Sequence, residues 1–232
     1  MGITEGIAPA YWVLALFTLP PAAWLLAQPS PRNPALQTLG EGRAAPGDGR
    51  LVLRVATLLF LFVGAEMCTG SWVHTYAVRA GLATATGAAY LTAVFWGALT
   101  AGRLLGVPLS ARFSPPQMLL GDIVGLAVSV VLMLTFPASR TALWIGTAGL
   151  GLSVASAFPT CINLAARTMA ISGRIQGWFC VGASIGGMVL PWIVGQLLET
   201  AGPAVTIWGI LADVVLAAAV FAAARGSTKV AK

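Results

Sequence analysis

Seven apolar stretches, each long enough to cross a lipid bilayer as a helix, constrain this chain more than any other feature of its sequence. They run Ile7–Gln28, Val52–Ala77, Ala83–Gly106, Pro116–Pro137, Thr141–Arg167, Ile175–Leu198 and Pro203–Ala224. A bilayer core of ~30 Å takes ~20 apolar residues in a helix rising ~1.5 Å per residue. A strand barrel would need alternating segments of ~10 residues, and these Leu, Val, Ala and Gly runs do not alternate. The expected fold class is therefore an all-α, polytopic membrane protein with seven transmembrane helices. Composition agrees: 58% of the 232 residues are hydrophobic and only 9% charged, against ~25% charged in a soluble domain.

The connections divide the chain. Residues 29–51 hold Pro29, Pro31, Pro34, Pro46 and four glycines with no apolar periodicity, the composition of a flexible linker. The expected organisation is a lone helix (1–28), that linker (29–51), a six-helix unit (52–224) and a tail (225–232). Basic residues then give an orientation, because Lys and Arg accumulate in short cytoplasmic loops. With the linker inside, Arg32, Arg43, Arg50, Arg54, Arg103, Arg112, Arg167, Arg174, Arg225, Lys229 and Lys232 fall on the cytoplasmic side, and Arg79 and Arg140 on the other. The carboxyl terminus is expected in the cytoplasm and the amino terminus of the chain outside. The net charge of +6 thus reads as topology and implies no nucleic-acid partner. The first apolar run lacks the basic n-region and small-residue cleavage site of a signal peptide. Three in-span cysteines and a single histidine imply no metal site and no disulfide framework.

Charges and polar stripes inside spans mark function, because each is costly in hydrocarbon. Glu66 lies near the middle of the second span, with Thr69 and Gly70 on its face and His74 and Tyr76 on the flanks. This stripe is a candidate for binding a hydroxylated solute or a coupling cation, the alternative being a protonated carboxyl bonded to a neighbouring helix. The fifth span places Ser153, Ser156, Thr160 and Asn163 on one face and is interrupted by Pro159. Broken helices near the midplane are where transporters bind substrates and ions, although Ser and Thr also join helices structurally. Asp213, without a polar stripe, reads as an interhelical hydrogen-bonding group. Asp122, near a cytoplasmic helix end and close in topology to Arg103 and Arg112, reads as a gate or structural ion pair. Gly182-Ala183-Ser184-Ile185-Gly186 matches the serine-hydrolase elbow G-x-S-x-G, but that motif needs a strand–turn–helix context. Inside an apolar helix it reads as a G-x-x-x-G packing face, and no enzymatic activity is expected.

Four segments resemble the carboxyl-terminal half of major facilitator superfamily transporters, in particular the branch of fucose permeases and sodium-dependent glucose transporter-like proteins. They are Phe60–Val78, Tyr90–Leu119, Gly149–Ala165 and Gly182–Pro203. The pattern Gly64, Ala65, Glu66, Trp72, Tyr76 and the run Trp96–Gly106 are the more specific parts. The resemblance implies half of a twelve-helix fold plus one preceding helix, alternating access, and a solute site between halves. It also implies that Glu66 and Trp72 face the central cavity with Asn163, and that Arg103 and Arg112 belong to a cytoplasmic gating loop where Asp122 replaces an acid missing from the usual motif. The expected binding residues are Glu66, Trp72, His74, Thr160 and Asn163, and the expected cytoplasmic gate is Arg103, Arg112 and Asp122. The expected function is secondary transport of a sugar or similar solute, coupled to Na⁺ or H⁺, with no cofactor. Its partners are the solute, the bilayer, and a missing amino-terminal half or a second copy. The alternative is a non-transporting seven-helix protein, receptor-like or a regulatory half-transporter.

Overall fold

The structure, a computed structural model, describes residues 3–28 and 49–229. The described elements are helical. Helix α1 is Ile3–Ala27, α2 Gly49–Arg79, α3 Ala85–Arg112, α4 Pro115–Thr135, α5 Arg140–Val154, α6 Ala157–Ala166, α7 Gly173–Ala201 and α8 Val205–Lys229. Helix α1 coincides with the first expected span and belongs to a different unit from the others. In the second unit, six segments are long and apolar enough to cross a membrane, with Arg140–Ala166 counting as one broken span. Most of the expected linker lies outside the described residues. Its last three positions, Gly49 to Leu51, instead form the first turn of α2, and residues 225–229 of the expected tail extend α8.

Local sequence sets the helix starts. The hydroxyls of Thr84, Ser139 and Ser172 accept from Gly87, Ala142 and Ile175 backbone N–H groups at 3.2, 3.2 and 3.4 Å, occupying donors that have no intrahelical partner. At α4, Gln117 Oε1 accepts from both the N–H and the hydroxyl of Ser114, with Pro115 following at the first helical position. Gly202, at φ +80°, ends α7 in a conformation that a side chain would strain.

Helix α2 is the hub of the six-span unit. It packs most extensively against α7, where Gly182 and Gly186 face it. A Cβ on Gly182 would lie 2.5 Å from the Ala56 carbonyl oxygen, and one on Gly186 would overlap that of Phe60. The G-x-x-x-G segment is therefore a backbone-to-backbone contact in mid-helix, and the local geometry is not that of a hydrolase elbow. Phe62, Phe95, Phe179, Leu58, Leu59 and Leu91 are fully buried in the core. In lipid such packing, rather than water exclusion, holds helices together.

Candidate functional site: a charge pair on the wall between two cavities

Helix α3 approaches the break between α5 and α6 without spacer atoms. A Cβ on Gly102 would sit 2.6 Å from that of Ala155 and 2.8 Å from the Leu152 carbonyl oxygen. One residue on, Arg103 reaches across to α2, and one of its terminal nitrogens lies 3.3 Å from Glu66 Oε1. The carboxylate is nearly enclosed, its side chain 9% exposed, whereas the guanidinium is 57% exposed. Arg103 lies nine residues, roughly 14 Å of helix rise, before the end of α3 at Arg112. A guanidinium facing hydrocarbon at such depth costs ~3 kcal/mol even on insertion scales. This surface therefore faces water or protein.

Two cavities meet at this pair. The first, of about 480 Å³, is lined by Arg103, Gly106, Ser110, Ser156, Phe158, Pro159, Thr160 and Asn163, among others. The second, of about 520 Å³, is lined by Glu66, Val63, Met67, Arg103, Phe158, Ser184 and further α7 residues. Arg103 and Phe158 line both, so a charged and an aromatic side chain share the partition. The wall offers a carboxylate, a guanidinium whose single close contact leaves most of its N–H groups open, and hydroxyl and amide groups. That set suits a small polyhydroxylated solute or a monovalent cation.

The expected site residues separate. Glu66, Thr160 and Asn163 gather around Arg103. Trp72 does not join them: its indole N–H donates to the Pro191 carbonyl at 2.8 Å, and its ring lies where a Cβ on Gly195 would stand, 2.8 Å away. It seals α2 against α7 instead of facing a cavity. His74, two turns beyond Glu66, is half-buried and lines neither cavity. The expected gate also comes apart. The expected loop around Arg103 is helix, because α3 continues through Pro108 to Arg112. Arg103 is thus the intramembrane partner of Glu66, and Arg112 ends the helix. Asp122, buried in α4, accepts the Ser156 hydroxyl at 2.8 and 2.9 Å instead of pairing with an arginine. Asp213 is buried at the edge of an apolar cavity of about 410 Å³ between α2, α7 and α8.

Reading the sequence alone missed Arg103 as a wall residue, together with Phe158, Ser110 and Ser184. The available signal was the expected span Ala83–Gly106, which already encloses Arg103, together with the apolar Leu104, Leu105, Val107 and Leu109 beyond it, which set this arginine deeper in the span.

No protein-family model matches this chain. It is 34% identical over 148 residues to human Major facilitator superfamily domain-containing protein 4A, covering 63% of this chain and 29% of the relative. It is 36% identical over 156 residues to Sodium-dependent glucose transporter 1 of Xenopus laevis, covering 67% and 32%. It is 37% identical over 137 residues to the protein of the same name from Danio rerio, covering 59% and 23%. The matched region thus spans a third or less of the length of these curated relatives. These homologues and the set of membrane-length helices support a fragment of a major facilitator superfamily transporter.

Proposed function

We propose that this chain forms part of a secondary active transporter that moves a sugar or similar small hydroxylated solute, coupled to a Na⁺ or H⁺ gradient. The observation that carries this reading is the Glu66–Arg103 pair on the wall shared by two cavities. A buried carboxylate beside a half-exposed guanidinium gives a coupling cation and a solute adjoining places to bind. Intramembrane ionisable residues commonly mark such pathways. The name of the Sodium-dependent glucose transporter 1 relatives supports a sugar as solute and sodium as coupling ion. In this reading Glu66 takes the cation, and Asn163, Thr160 and Arg103 contact the solute. The exposed Arg103 face is covered by a further helical half or a second copy. The basic ends of the helices lie in the cytoplasm.

The test is uptake of labelled glucose and other hexoses into vesicles carrying the protein, with an imposed Na⁺ or H⁺ gradient. Gradient-dependent accumulation is expected, with Glu66→Gln lowering the gradient-stimulated rate by at least about tenfold. Accumulation equal to that of protein-free vesicles under every gradient would overturn the reading. Coupled uptake unchanged in Glu66→Gln would remove Glu66 from it.

A further inference from the structure

The fifth span is broken at a point that other residues hold. Its ladder of backbone bonds lapses at Ala155 and Ser156, between α5 and α6. Pro159, lacking an N–H, cannot donate to the Ala155 carbonyl and so perpetuates the gap. Ser156 stands at the position that caps α6, where a serine oxygen would ordinarily accept a backbone N–H. Here it makes no such cap. Its hydroxyl is turned to Asp122 on α4, within 2.8 and 2.9 Å of the two carboxylate oxygens. The carboxylate thereby stands off the amino-terminal end of α6, where a negative charge is stabilised.

The same seam continues away from the break. A Cβ on Gly125 would overlap the Ser153 hydroxyl, and one on Gly149 would overlap that of Ser129, which itself donates to the Gly125 carbonyl at 2.8 Å. Helix α5 is thus keyed to α4 by small residues set against hydroxyls, and this keying ends at Asp122–Ser156. Beyond it, α6 carries Thr160 and Asn163 into the first cavity.

We infer that Asp122 and Ser156 form a clasp that fixes the break between α5 and α6, and so positions the Thr160–Asn163 wall of the first cavity. Both are positioning residues: Ser156 borders the cavity, but its hydroxyl is spent on Asp122. The inference rests on the proposed function only for what the cavity binds, since the position of the wall can be read without any solute.

The experiment places a cysteine at Asn163 in the full chain, with exposed Cys180 replaced by serine; Cys68 and Cys161 are buried. The protein is reconstituted in liposomes, and the rate of labelling by a charged maleimide is measured. Ser156→Ala and Asp122→Leu break the clasp and are expected to change that rate by about tenfold, the weight of one hydrogen bond to a charged group. Asp122→Asn keeps an acceptor and Ser156→Thr keeps a hydroxyl, so both should label at the parental rate. Ser153→Ala, in the same seam but before the break, should do so too. Parental labelling in Ser156→Ala overturns the inference even if Asp122→Leu does not fold. So does a rate altered as much by Ser153→Ala or by the two conservative variants as by Ser156→Ala. Uptake that fails while labelling follows this pattern would count against the transport reading alone.

Discussion

At the scale of single residues, the side chains that carry charge or a hydrogen-bonding edge into the helical unit do so for different ends. Arg103 leaves its guanidinium half-exposed with one contact to Glu66, an arrangement that keeps a charge available. Trp72 spends its only donor on the Pro191 carbonyl, an arrangement that fastens. These roles separate under mutation. Trp72→Phe keeps the ring but loses the bond, and should lower stability by about 1 kcal/mol, measured as the temperature at which the solubilised protein loses its monodisperse peak. Solute affinity in the uptake assay should be unchanged. An equal or larger loss of solute affinity would return Trp72 to the binding site. The Arg79–Glu199 pair, 3.5 Å long and exposed on both sides, should contribute little. Removing either partner should leave the same melting temperature within error.

At the scale of helices, glycines decide how closely the elements approach. Gly186 faces the Phe60 backbone, whereas Gly97 faces open space. Gly186→Val should cost ~3 kcal/mol or more by overpacking and lower the folded yield. Gly97→Ala should be neutral or stabilising by up to about 1 kcal/mol. Similar yields for the two variants would contradict the α2–α7 packing described here. The Gly182/Gly186 face was legible from spacing, as were the spans, because long apolar runs have one structural solution in lipid. Pro159 announced the break in the fifth span. The extent of α3 was not legible, because Pro108 reads as a stop in water yet is accommodated within a membrane helix. For the same reason Arg103, within the expected span Ala83–Gly106, read as lying at its cytoplasmic end, where the resemblance put a gating loop. Of the site, Glu66, Thr160 and Asn163 were legible as polar residues in apolar surroundings. The Glu66–Arg103 and Asp122–Ser156 pairings were not: they join helices 37 and 34 residues apart in sequence, and no periodicity encodes which faces meet. The direction of Trp72 was not legible either, because residue spacing says nothing about which way an indole turns; here it turns to the Pro191 carbonyl.

At the scale of the whole molecule, moving Arg103 into a span takes one basic residue from the cytoplasmic side and leaves the direction of the charge asymmetry unchanged. Arg50, Arg54, Arg112, Arg167 and Arg174 mark one end of the six-span unit, and Arg79 and Arg140 the other. Lys and Arg bias predicts that the first end is cytoplasmic. Cysteines introduced at Phe113 and at Ala138 should therefore label with an impermeant reagent from the cytoplasmic and the outer side, respectively; the reverse pattern would invert the topology. Coupling between charge and solute movement is tested most directly by a double-mutant cycle on gradient-driven uptake, comparing the parent, Glu66→Gln, Arg103→Gln and the double variant. If the two side chains act as one unit in transport, each single change should lower kcat/KM by about tenfold or more, and the double variant should be no worse than the weaker single one. Independent, multiplying losses, or parental uptake in either single variant, would contradict the account.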